Sequence, residues 1–224
     1  MPDLESELHL RMFRNSPSRR LLPVRLVAAA VKAVRTEMHA PLYGLEWGDP
    51  DVVAPLRWVR DQWLLPYVNP EQTALEIGPG GGRWTRYLLG FKRVYAVDYH
   101  KEILEELRRN FAGRNVEFVR NTGTDFPGVP PVDFVFSFGT FVHLDPPIIE
   151  RYLANMGNVL KPQGQAVLQY ADKTKPMGIA QGASFSDMVP DRMRAMVVAA
   201  GFEVLEEDTG TMWHSSLIRF RLAS

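Results

Sequence analysis

The stretch LEIGPGGGRW, residues 75–84, sets four glycines into the five positions from 78 to 82, between an apolar run and a helical pattern. Glycine reaches positive φ freely and lets another group approach the main chain, but it costs about 1 kcal/mol relative to Ala in regular structure, so a cluster has a specific use. At the first strand-to-helix turn of a parallel sheet, that use is a ligand held against bare backbone and a helix N-terminus. Twenty residues after Gly78, Asp98 ends the run RVYAVD. A carboxylate at the tip of the second strand accepts hydrogen bonds from both hydroxyls of a ribose; a compatible alternative is that Asp98 caps the helix beginning at Lys101. The dinucleotide pattern GxGxxG requires a third glycine at position 83, where Arg83 stands; the motif here is Glu76-Ile-Gly78-Pro-Gly80-Gly-Gly82.

The elements that must position these residues follow from apolar periodicity. From Thr73 onward, TALEI, RVYAV, VEFV, VDFVFSF and QAVLQY read as strands. RWTRYLLG, KEILEELRRNF, PIIERYLANMGNVL and DRMRAMVVAAG read as helices. This alternation predicts a doubly wound, Rossmann-like α/β fold, a mostly parallel sheet covered on both faces. NTGTDFPGVPP is too short and too rich in Pro and Gly for a crossover helix, so a loop carries that crossing. FEVLEEDTG and SSLIRFRLA close the chain as an antiparallel hairpin, giving seven strands with the last antiparallel. Residues 1–70 read as a helical extension acting as a cap, lid or dimer contact, and residues 71–224 as the ligand-binding domain. Within the extension, one amphipathic helix is expected between Leu21 and Met38. A second places Val52, Leu56, Val59 and Trp63 on one face and ends near Pro66.

Composition narrows the function. At 224 residues and 46% hydrophobic, the chain builds one sizeable core. Lys+Arg and Asp+Glu balance at 26 each, which argues against a nucleic-acid partner or an anionic membrane. The absence of Cys removes disulfides, thiolate nucleophiles and Cys-ligated zinc, and suits a cytoplasmic location. MPDLESELHL is acidic where a signal peptide is basic, and LVAAAV, 26 to 31, is far shorter than a membrane span.

The ExGxGxG motif resembles motif I of class I S-adenosylmethionine-dependent methyltransferases, and the resemblance extends through most of residues 73 to 222. AVDYH resembles the acidic second motif, VRNTGTDFPG the adenine-facing loop after strand three, FSFGTFVHLD the fourth motif, and LKPQGQAVLQY the fifth strand with its preceding turn. AAGFEVLEED followed by SSLIRFRL is similar to the family's closing helix and hairpin. The resemblance implies S-adenosyl-L-methionine as cofactor. Glu76 then lies near its amino acid end, Gly78, Gly80 and Gly82 give backbone approach, Asp98 takes the ribose, and Tyr99 covers the adenine face. Asn121, Thr122 and Gly123 edge the adenine, with Phe138 and Gly139 at the fourth strand. Many relatives carry an acidic residue where Thr122 stands; Asn121 either supplies the missing acceptor or makes an Asx-type turn before Gly123.

A sulfonium methyl is already activated, so the protein chiefly aligns the acceptor, and a base helps when the nucleophile carries a proton. His143, just past the fourth strand, is the first candidate base, or else it ties its loop to the helix starting near Pro146. Asp172, beyond the fifth strand, is the second. Asp145 is read as the cap of that helix, with Pro146 in its first turn. SFGT lacks the carboxylates of metal-dependent catechol-type relatives, so no metal is expected. LDPPI imitates the DPPY motif of nucleic-acid amino-methyltransferases, but Asp145 comes eight residues after Ser137, too late for that role. Trp47, Trp213 and His214 are candidate acceptor contacts, suited to a small hydroxylated ring, sugar or polyketide, and KTKPMGIAQGASF is a loop able to fold over it. The competing functions are a cofactor-binding protein without catalysis and a nicotinamide-dependent oxidoreductase; Arg83 and the terminal hairpin disfavour the latter.

Overall fold

The computed structural model describes residue 44 and residues 47–223. The helix expected between residues 21 and 38 lies outside them. The first described helix, α1 (Ala54–Val59), continues as a π turn (Arg60–Leu64) and a 3-10 turn (Leu65–Tyr67). Pro66 has no N–H to extend an α-helix, so the segment changes pitch where it was expected to end. Leu56, Val59 and Trp63 are buried as their spacing predicts, whereas Val52 is 72% exposed because it precedes the helix and does not share its face.

Seven strands alternate with helices: β1 (Thr73–Ile77), α2 (Thr85–Leu88), β2 (Arg93–Asp98), α3 (Lys101–Asn110), β3 (Val116–Arg120), β4 (Val132–Ser137), α4 (Pro146–Val159), β5 (Leu160–Ala171), α5 (Pro176–Ala180), α6 (Pro190–Ala199), β6 (Phe202–Asp208) and β7 (Ser215–Leu222). They form one sheet in the order β3-β2-β1-β4-β5-β7-β6. β1 to β5 pair in parallel, and β7 runs antiparallel to both β5 and β6. The turn between β6 and β7 therefore lies at the same edge as the carboxyl ends of the parallel strands. No helix separates β3 from β4, as expected.

Side chains alternate across the sheet, and each face buries its own cluster. Leu75, Ile77 and Val135 meet α4 and α6 through Ile149, Leu153, Met193 and Val197. Ala74, Phe134 and Phe136 meet Leu56, Val59, Trp63 and Leu64, so residues 54–67 are part of the same core as the sheet. β5 begins at Leu160, directly after α4, rather than after a turn; its register against β4 shifts between Val132 and Phe134 to absorb the added residues. Asp145 stands at the N-cap of α4, but its side chain makes no capping bond. Its carbonyl alone accepts from Ile148 and Ile149, and Pro146 opens the helix.

Candidate active site

In an open α/β sheet the crevice lies beyond the carboxyl ends of the strands where the strand order reverses. Here that point falls between β1 and β4. Strand ends deliver the 78–82 loop, Asp98, Asn121, the 138–143 segment and Asp172 to that one edge, and the hairpin turn adds Trp213 and His214.

Gly78, Gly80 and Gly82 have φ of 69°, 55° and 91°, the left-handed region that Gly occupies without strain. Two of these glycines also make room for the protein itself. A Cβ at Gly78 would lie 2.0 Å from the Thr140 hydroxyl, and one at Gly82 would lie 2.4 Å from the Phe111 ring. Thr140 sits there because Ser137 and Thr140 donate to the Ile77 carbonyl at 2.8 and 3.4 Å, tying the loop after β4 to the end of β1. Arg83, in place of the third dinucleotide glycine, is buried against Trp84 and Phe138 and donates to the Gly48 carbonyl at 3.1 Å.

Glu76 is buried and accepts one bond from Thr85, at 2.6 Å. Burial pushes its carboxyl up to about 8; the Thr85 bond opposes the shift and the Asp98 charge adds to it. Burial likewise pushes Asp98 up to about 6, against bonds from the His100 and Tyr99 amides. Asp98 accepts from the His100 N–H at 2.8 Å, and His100, not Asp98, is the N-cap of α3. Asn121 donates from Nδ2 to the Gly123 carbonyl at 2.8 Å and to Tyr152 at 3.2 Å, tethering the loop to α4; its Oδ1 is buried without a partner and accepts no backbone N–H, so the bond that would close an Asx-type turn is not made. Thr122 is exposed and Tyr99 half-buried.

On the other side of the switch, His143 Nδ1 lies 2.7 Å from the Ser184 carbonyl. Burial lowers its pKa, and that bond only partly restores it. Phe185 stands perpendicular to two imidazoles, with ring centroids 5.3 Å from His143 and 5.2 Å from His214. His214 is also held below the ordinary histidine range, by burial first, then by the Lys175 ammonium and by the proximity of the second imidazole, His143. The segment expected as a loop contains α5 and a 3-10 turn (Gly182–Ser184), and it is anchored firmly. Lys173 donates to the carbonyls of Gly178 and Gly182, Lys175 to those of Met212 and Ser215, and the Ser186 amide to Val142.

Asp172 does not fit the base role. Its carboxylate has no exposed surface; Oδ1 accepts from the Thr174 amide and hydroxyl at 2.9 and 2.5 Å, and Oδ2 from Ser216 at 2.6 Å, with Lys175 at 3.6 Å. Burial alone would raise its pKa, but these bonds outweigh it and hold the group below the usual carboxylate range. Gly139 has a specific tie of its own: its amide donates to Gln169 at 2.7 Å, and Gln169 donates to Ser215 at 2.7 Å. Phe138 stacks obliquely on Trp84, with centroids 4.6 Å apart. Trp47 and Trp213 are 46% and 68% exposed, so neither is a core residue. Sequence reasoning missed Thr85, Thr140, Gln169, Ser184 and Phe185. A glutamine inside the apolar run QAVLQY was the one readable signal among them. Among the described residues, no group of three or more His, Asp or Glu could hold a metal ion, and no helix is long and apolar enough to cross a membrane.

A family model described as a methyltransferase domain matches residues 74–164, the stretch from β1 into β5. That stretch, a little under half of the chain, is similar to a methyltransferase domain. No curated protein matches the chain by sequence. Solved structures share the methyltransferase fold. The glycopeptide N-methyltransferase MtfA complexed with sinefungin has a TM-score of 0.60 at 15% identity, over 79% of this chain and 87% of that one. The CcbJ methyltransferase from Streptomyces caelestis has 0.59 at 18%, over 71% and 86%. The mitomycin 7-O-methyltransferase MmcR has 0.57 at 16%, over 68% of this chain and 49% of that one.

Proposed function

We propose that the protein is an S-adenosylmethionine-dependent methyltransferase that methylates a hydroxyl oxygen of a small neutral acceptor, with His143 as general base. The contact between His143 Nδ1 and the Ser184 carbonyl carries this reading. A carbonyl only accepts, so Nδ1 keeps the ring proton and the lone pair belongs to Nε2. The lowered pKa keeps the imidazole neutral at pH 7, ready to take the hydroxyl proton.

The residues across the switch suit S-adenosylmethionine. Glu76 and Asp98 are buried carboxylates at the ends of adjacent strands, matching a ligand with a cation at one end and paired hydroxyls further along. When bound, the cofactor supplies a methyl group on a sulfonium, activated for in-line displacement. Glu76 takes the ammonium end, Asp98 the ribose, and Tyr99 with the 121–123 turn borders the adenine. Gly80 is the loop glycine whose bare backbone serves approach. Phe138 and Gly139 shape the junction between cofactor and acceptor through the Trp84 and Gln169 contacts.

The even charge balance favours a neutral acceptor over a polyanion. The glycopeptide N-methyltransferase and the mitomycin 7-O-methyltransferase that share this fold support a small-metabolite acceptor. Trp47 and Trp213 border the acceptor. The test is methyl release from S-adenosylmethionine to a panel of hydroxylated metabolites. His143→Ala should lower kcat/KM by roughly 10²- to 10⁴-fold. Unaltered turnover in that variant would remove His143 from the reaction.

A further inference from the structure

His214 carries a contradiction in its surroundings. Its Nδ1 is buried and has no hydrogen-bond partner, although the residue as a whole is only part-buried, so the accessible surface lies elsewhere than at Nδ1. A buried N–H without an acceptor is rarer and more costly than a bare lone pair, which places the ring proton on Nε2. The Lys175 ammonium, fixed between the carbonyls on either side of His214, opposes a second proton on the ring. His143 has the opposite tautomer, with its proton on Nδ1 facing Ser184. Two neutral imidazoles therefore flank Phe185, one offering a lone pair and the other an N–H.

The turn bearing His214 is rigid. Its carbonyl accepts from the Asp172 amide at 3.3 Å, and Gly178 lies so close that a Cβ there would be 3.1 Å from the same oxygen. A donor held this firmly is preorganised for a ligand.

We propose that His214 donates from Nε2 to an acceptor oxygen adjacent to the hydroxyl that His143 deprotonates. The site thereby selects neutral acceptors with two neighbouring oxygens, such as a vicinal diol or an ortho-oxygenated phenol. This rests on the methyl transfer to oxygen proposed above. In that step the S–CH₃ bond breaks, the O–CH₃ bond forms, the hydroxyl proton passes to His143, and the proton on His214 stays in place.

The experiment uses the full chain, ¹⁵N-labelled at its five histidines, saturated with S-adenosylhomocysteine. His143→Gln and His214→Gln assign the two signals. Long-range ¹H–¹⁵N spectra should give the Nε2–H form for His214 and the Nδ1–H form for His143. Catechol should bind about tenfold tighter than phenol, the worth of one hydrogen bond to a neutral group, and should shift both histidines where phenol shifts His143 alone. His214→Gln, whose amide nitrogen falls near the position of Nε2, should keep the preference. His214→Asn, whose nitrogen falls near Nδ1, and His214→Phe should lose it. An Nδ1–H form at His214, equal affinities in the native protein, or a preference that survives His214→Phe overturns the proposal. Calorimetry with S-adenosylhomocysteine separates the two levels. No binding to the native protein removes the methyltransferase reading itself. Loss confined to a His214 variant marks that variant as misfolded, and the tautomer in the native protein then decides.

Discussion

Replacing Glu76 with Gln separates what a buried carboxylate costs the fold from what it gives the ligand. Glu76→Gln preserves shape and can still accept the 2.6 Å bond from Thr85, but it cannot ionise. In the native protein the group moves from an ordinary value of 4.5 to about 8, so between those limits the folded state holds more protons than the unfolded state. Stability therefore falls as pH rises through this window, by up to about 1.4 kcal/mol per pH unit, and levels off above pH 8. From pH 6 to pH 8 the native protein should lose about 2 kcal/mol relative to Glu76→Gln, or roughly 4–8 °C in Tm for a chain of this length. Asp98, pushed up to about 6, acts in the same sense below that pH and is common to both proteins, so the upper window isolates Glu76. Thermal unfolding of the ligand-free proteins across pH 6 to 8 is the assay. Binding tests the other half: at pH 7 a cationic ligand end should expel close to one proton, visible as a buffer-dependent enthalpy. Glu76→Gln should lose that proton and roughly 10- to 100-fold in affinity for S-adenosylmethionine. Parallel loss of stability in the two proteins across this range would refute the argument.

Three further outcomes follow from named contacts. The acid limb of kcat/KM should have its midpoint below pH 6.5, because burial lowers the His143 pKa; a midpoint above 7 in stopped assays would contradict the environment described for it. Asp172→Ala should cost about 3 kcal/mol in urea unfolding, since Ser216, Thr174 and Lys175 lose a shared acceptor; a loss below 1 kcal/mol would mean the carboxylate is not structural. Gly178→Ala should destabilise by more than about 2 kcal/mol, because the new Cβ would fall 1.9 Å from the Asp172 carbonyl, a backbone atom that cannot rotate away; a near-native Tm would refute the packing of α5.

The sheet was legible because apolar runs of strand length alternate with helical patterns, and neither the terminal hairpin nor the loop between β3 and β4 had room for a helix. The shift between β4 and β5 was not legible, since LKPQG has turn composition and joins the strand only through tertiary pairing. Glu76 and Asp98 could be picked out because a carboxylate ending an apolar strand has few other uses. Asp172 occupied an equivalent position, yet Ser216, one of the groups that neutralise it, is 44 residues away, a distance no local pattern bridges. The partner of His143 is a main-chain carbonyl, which residue type cannot reveal. The glycines announced a left-handed turn but not that Thr140 and Phe111 would fill the space beside it.

The Thr140 hydroxyl seated against Gly78 makes one mechanical piece of two loops usually treated as separate modules. Three residues further along that segment stands His143, so any redesign that transplants the loop after β4 to change the acceptor also reshapes the support of the glycine turn. Grafts for altered selectivity should exchange residues 77–82 and 137–143 as a matched set, and single-loop swaps should weaken S-adenosylmethionine binding before they redirect the methyl group.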